Sequence, residues 1–147
     1  MIREGKVQDI PQIIDVIQDS IRSCVEDHHR HENIIQPWLE RYTDAQLISE
    51  MLYNDCWVYL IHDKVVGFIM VTDQGEIKMH FVATHAQKMG IGSALYDYML
   101  QQMSNKNVHK IEVKSTLSSL DYYLHLGFQN YGPSGLEESQ KLYKYLF

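Results

Sequence analysis

The chain has 147 residues, about the size of one compact domain, and its 45% apolar, 11% aromatic and 22% charged residues can build a core without metal or disulfide staples. Thirteen Lys and Arg against nineteen Asp and Glu give a net charge of −6, the wrong sign for drawing in duplexes or polyphosphates by long-range attraction. Disorder, a collagen-like fibre and a stapled mini-protein are excluded, and any anion site must be local.

Cys24 and Cys56 stand apart, without a CxxC or Cys-His ligand spacing, and suit a compartment that keeps thiols reduced. The first six residues carry too much charge for a secretory signal, and the longest apolar run, residues 65–71, is far too short to span a membrane. The expectation is a single domain over residues 1–147, cytoplasmic, with no metal and with neither membrane nor nucleic acid as partner.

Ile2 opens a short strand. Asp9-Ile10-Pro11 then combines a capping carboxylate with a proline tolerated in a first helical turn. Ile10, Ile13, Ile14, Ile17 and Ile21 recur at helical spacing and predict one buried stripe. Between residues 27 and 41 no period persists, so the segment reads as a loop with room for a short helical turn. Thr43 and Gln46 fit a capping box, ahead of the helical face Leu47, Ile48, Met51 and Leu52.

Residues 57–62 and 65–73 are rich in β-branched and aromatic side chains, and the short break between them suits an antiparallel hairpin. Residues 76–83 alternate, with Ile77, Met79 and Phe81 on one side and Glu76, Lys78 and His80 on the other. The segment from Gln87 to Ser93 is a glycine-containing loop leading into a helix with Ile91, Ala94, Leu95, Tyr98 and Met99 on one face. Residues 110–114 form a strand, 120–126 a helix stopped by Gly127, and 128–131 and 141–147 the last strands. The expected order is β, α, α, β, β, β, α, β, α, β, β, a mixed α/β sheet protein.

A glycine-containing turn between a strand and a helix presents amides at the positive end of the helix dipole, which makes a phosphate site without net positive charge. Gly90 and Gly92 allow close backbone approach, and Lys88 adds one cation. An ordinary strand-to-helix turn remains the other reading of two glycines. A P-loop would need a lysine before Ser93, and a GxGxxG fingerprint would need a small residue at 95, where Leu95 stands.

With Phe81-Val82-Ala83 ahead of Gln87-Lys88-Met89-Gly90-Ile91-Gly92, the segment resembles the GNAT superfamily of N-acetyltransferases. Its acetyl-CoA signature is Gln or Arg, two residues, Gly, one residue, Gly or Ala. A second match is Tyr122-Tyr123-Leu124-His125-Leu126-Gly127-Phe128, similar to that family's later helix, and the element order agrees over the whole chain.

The resemblance implies an acetyl-CoA-dependent N-acetyltransferase acting on a primary amine of a small molecule or peptide by direct transfer. The backbone of Phe81 and Val82 would then pair with the pantetheine arm, and Gln87, Lys88, Met89, Gly90, Ile91, Gly92 and Ser93 would hold the pyrophosphate. The thioester would enter a split between the two central parallel strands. Tyr123 would serve the departing sulfur, and the Val82 amide would be the oxyanion donor. Many relatives carry a polar residue such as asparagine after the later parallel strand, where this chain has Ser115-Thr116.

An alkylamine of pKa about 10.4 is neutral in only on the order of one molecule in a thousand at pH 7, so the reaction asks for a base. Glu76 lies eleven positions ahead of the motif glutamine, the spacing of the base in the family's histone-acetylating branch, and is the first candidate. His80, which titrates near neutrality when unperturbed, is the second. Without the family, Glu76 and Lys78 read equally as a solvated pair, and Tyr122 and Tyr123 as core packing. The polar row on a central strand suggests a wet cleft, a parity that a bulge would break.

His28, His29 and His31 with Asp27 and Glu32 form a cluster better read as a solvated loop than as a metal site. Its place after the first helix makes His28, Glu32 and Trp38 acceptor-binding candidates, favouring a cationic or amphipathic amine. Tyr143, Tyr145 and Phe147 could cover a core or the seam of a homodimer. A CoA-binding sensor or partner module without turnover, and an unrelated α/β ligand-binding domain, stay open as alternatives.

Overall fold

The computed structural model describes residues 1–24, 29–133 and 139–146. Strand β1 (Ile2–Glu4) runs through a short 3-10 turn into helix α1 (Ile10–Ser23), whose Ile10, Ile13, Ile17 and Ile21 are buried as the spacing predicts. Asp9 differs from expectation, because its carboxylate does not cap α1. It accepts hydrogen bonds from Arg3 at 2.7 and 2.8 Å and from the Lys6 amide at 2.8 Å, closing the preceding turn instead.

Helix α2 (Glu32–Leu39) lies where a loop was expected. Its eight residues bury only Ile35, with Trp38 packed at the edge of the core, so too few apolar positions exist to display a period, and Pro37 disguises them further. Helix α3 (Asp44–Tyr53) starts as predicted, with the Thr43 hydroxyl accepting from the Gln46 amide at 3.2 Å.

The remaining elements are β2 (Asp55–Ile61), β3 (Lys64–Val71), β4 (Glu76–Val82), α4 (Ile91–Asn105), β5 (Lys110–Thr116), α5 (Leu117–His125), β6 (Gln129–Pro133) and β7 (Ser139–Tyr145). The described residues thus form a mixed α/β fold of seven strands and five helices, ordered β1-β2-β3-β4-β5-β7-β6 in one sheet. Every neighbouring pair is antiparallel except β4 with β5. One apolar cluster joins α1, α2 and α3 to one face, through Ile13, Ile17, Leu47 and Phe68. The other joins α4 and α5 to the opposite face, through Leu95, Met99, Ile111 and Tyr123. No described helix is long and apolar enough to cross a membrane.

Two irregularities shape the centre of the sheet. The parallel strands β4 and β5 pair only at Glu76 with Glu112 and Ile77 with Val113, so the sheet is open beyond that point. In β4, Ile77 faces Val71 and Met79 faces Met70, which leaves Lys78 as the extra residue of a β-bulge.

Candidate active site

The opening between β4 and β5 widens into a cavity of about 560 Å³. Its lining draws on both faces of the sheet. Ser20, Ser23 and Cys24 of α1 and its end, with Tyr42 before α3, stand on one side; Ser118, Ser119 and Tyr123 of α5 stand on the other. Lys78, Met79, His80 and Phe81 of β4 and Lys114 and Thr116 of β5 form the walls between them.

The bulge corrects the expected row of Glu76, Lys78 and His80 on a single face. Ile77 packs with the α4 cluster, whereas Met79 and Phe81 pack with the α1 cluster, so the alternation slips by one residue at Lys78. His80 therefore points to α4 and α5, and the Lys78 ammonium points the other way, 3.8 Å from Glu50 of α3. Glu76 sits at the closed end of the split, its amide donating to the Thr72 hydroxyl at 3.1 Å, and is not part of the cavity lining.

His80 is held at both ring nitrogens. Nε2 lies 2.9 Å from the Gly92 carbonyl oxygen, which can only accept, so Nε2 carries the proton and donates it. Nδ1 is then the acceptor, and the Tyr123 hydroxyl donates to it at 3.0 Å. Burial pushes the His80 pKa down to about 4, against a smaller opposing effect of the Gly92 bond, so the imidazole is neutral at physiological pH. Burial also pushes the Tyr123 pKa up, so its phenol stays protonated. Tyr122, expected as packing, presents its hydroxyl 3.3 Å from that of Ser93.

The loop before α4 is an anion site in form. Gly90 has φ +79 and open space where a Cβ would stand, and residues 87–90 are exposed. The first bond of α4 runs from the Ala94 amide to the Gly90 carbonyl at 2.9 Å, and no side chain caps the helix, so the amides of Ile91, Gly92 and Ser93 are directed outward along its axis. These features fit a diphosphate. The Gln87 side chain donates to the Val82 carbonyl at 3.1 Å, and Ala83 donates back to Val66 at 2.8 Å. Strand alternation then turns the Val82 amide toward the split and gives the Phe81 backbone to β3.

The expected acceptor residues are not brought together. Glu32 is bound by Arg22 at 2.8 Å on the surface and Trp38 packs against the core; neither lines the cavity. His28 lies outside the described residues. Lys114, Ser20 and Tyr42 do line it and were not singled out from sequence, because they come from separate elements. The one available signal was the outward position of Lys114 in the alternating 110–114 strand.

A family model described as an acetyltransferase (GNAT) domain matches residues 24–145. Among solved structures, the PaiA N-acetyltransferase from Thermoplasma acidophilum, in complex with coenzyme A, superposes with a TM-score of 0.88 at 17% identity, covering 99% of this chain and 98% of that one. The ribosomal-protein-S18-alanine N-acetyltransferase from Escherichia coli gives 0.71 at 14% identity, covering 97% and 90%. An aminoglycoside 6'-N-acetyltransferase complexed with coenzyme A gives 0.69 at 16% identity, covering 100% and 97%. At these identities the likeness is one of fold. Comparison with curated proteins gave no match.

Proposed function

The chain belongs to the GNAT family of acetyltransferases, and on that premise we propose that it transfers the acetyl group of acetyl-CoA directly to a primary amine of a small molecule or peptide. The observation that carries this reading is the Tyr123 hydroxyl, set in the wall of the opened sheet and oriented by a neutral imidazole that is itself tied to the start of α4. Acetyl-CoA bound there would supply an activated thioester carbonyl.

The chain's own groups divide the remaining tasks. Amides of residues 91–93, with Gln87, Lys88 and Met89 beside them, hold the diphosphate at the helix N-terminus. The Val82 amide, facing the split, donates to the carbonyl oxygen as negative charge collects on it. Rotation about its C–O bond swings the Tyr123 proton from His80 Nδ1 to the leaving sulfur, a thiolate whose acid has a pKa of about 8.5. The proton shed by the amine then restores the phenol. His80 is a positioning residue in this scheme, because both its nitrogens are engaged and burial makes it a weak base. Glu76 is not among the residues that line the cleft. The acceptor amine must therefore arrive neutral.

Purified protein with acetyl-CoA and a broad amine panel should release CoA in step with acetylated product. Tyr123→Phe should lower kcat by about 100-fold, the usual scale of a general acid, with CoA affinity little changed. Thiol release at background for every amine, unaltered in Tyr123→Phe, would sink the reading; tight CoA binding without turnover would make the protein a sensor instead.

A further inference from the structure

We infer that the acceptor is an amine that carries an anionic group of its own, a carboxylate or a phosphate, held by Lys114 and Lys78. The inference rests on the transferase reading and names the substrate class of the same site.

The described residues lining the cavity include two lysines and no carboxylate. This reverses the balance of a chain with thirteen cationic and nineteen anionic side chains, so the charge in the cleft is local design rather than average composition. Lys78 is there because of the bulge, which adds a residue to β4 at the point where the sheet opens. Its charge is shared with Glu50 at 3.8 Å.

Lys114 is the more available cation. It follows Val113, the last β5 residue paired to β4, so it stands where the split begins. Ile111 and Val113 are buried toward α4 and α5, and alternation turns exposed Lys114 to the opposite face, the side of Ser20, Ser23 and Tyr42. The same face carries Lys110 of β5 and Lys141 of β7, together with Glu112, 3.9 Å from Lys141, and Glu76, which pairs with Glu112 at the closed end of the split.

The same lysines suit a site with no strong base in contact. A positive neighbour disfavours the ammonium form, so an amine drawn in by its own anion arrives in a cleft that helps it stay neutral. A peptide-like α-amine, with an ordinary pKa of about 7.7 to 8.0, is already neutral in roughly one molecule in ten at pH 7. A polyamine has no anion to hold it and is repelled by the same lysines.

The test uses matched acceptors: β-alanine against β-alaninamide, phosphoethanolamine against ethanolamine, and glycyl-glycine against glycyl-glycinamide. The anionic member should show a kcat/KM at least about tenfold higher, residing in KM, and Lys114→Glu should abolish or reverse that ratio while Lys114→Gln reduces it. Equal or opposite preference in the wild type, or a ratio untouched in Lys114→Glu, overturns the inference and leaves the transferase reading intact. Binding is measured separately by calorimetry on CoA-loaded protein with succinate and succinamide, which lack an amine. Succinate binding that Lys114→Glu removes supports the anion site even if no amine is acetylated, in which case the transferase reading fails alone; succinate binding no better than succinamide rejects the site.

Discussion

Tyr123 and His80 show how burial assigns roles to two groups whose ordinary chemistry would allow others. An imidazole at its usual pKa of about 6.5 would be half charged near neutrality and would compete with Tyr123 to donate. Lowered to about 4 by burial, it accepts instead. Its folded pKa lies below its unfolded value, so between about 6.5 and 4 the unfolded chain binds more protons, and stability is lost as pH falls through that window. Nitrogen-detected NMR should show an Nε2-protonated His80 that does not titrate until pH nears 4, and an inflection near 6.5 would remove the neutral assignment. The cysteines divide in the same manner. Burial beside Gly5 pushes Cys56 up to about 12, whereas half-buried Cys24 lines the cavity. Iodoacetamide at pH 7.5 should modify Cys24 alone and inhibit transfer in proportion, as followed by mass spectrometry and thiol release.

Elements were legible where one face carried the signal. The isoleucine stripe of α1, the spacing of α4, the Gln87 to Gly92 loop and the Gly127 stop, at φ +94, all state their structure within a few neighbouring letters. The bulge was not legible, because polar and apolar letters alternate from Glu76 to His80 whether or not the backbone adds a residue, and only pairing with β3 shows where it does. The cavity lysines were hidden for a related reason, since Lys78 and Lys114 lie 36 positions apart and meet only across the opened sheet. Helix α4 carries one internal cost. The Tyr96 hydroxyl is buried without a hydrogen-bond partner among the described residues, although its ring packs on Phe128 and under Lys144. Tyr96→Phe keeps the ring contacts and removes the orphan oxygen, so it should raise stability by about 1 kcal/mol in urea denaturation with activity unchanged. A comparable loss would mean that the hydroxyl has a partner.

At the scale of the molecule, the sheet is two antiparallel halves, β1 to β4 and β5 with β7 and β6, meeting along a short parallel seam. The cavity exists because that seam stops after Ile77 and Val113, so whatever fixes the seam fixes the cleft. Gly75 stands at its closed end. Its carbonyl accepts from the Glu112 amide at 2.9 Å, its φ is +94, and a Cβ would fall 2.5 Å from the Lys110 carbonyl oxygen and 2.9 Å from Val108. Gly75→Ala must therefore push the two halves apart at their joint, in addition to straining its own backbone. The expected loss is about 3 kcal/mol in urea denaturation, with the CoA-induced rise in Tm falling because the walls of the split no longer hold their spacing. Gly90→Ala makes the comparison informative, since it shares the positive φ but faces open space. Its stability loss should stay near 1 kcal/mol while CoA binding weakens through the strained anion loop. If the two variants lose equal stability, strain at a left-handed residue explains both, and the seam does not govern the opening of the sheet.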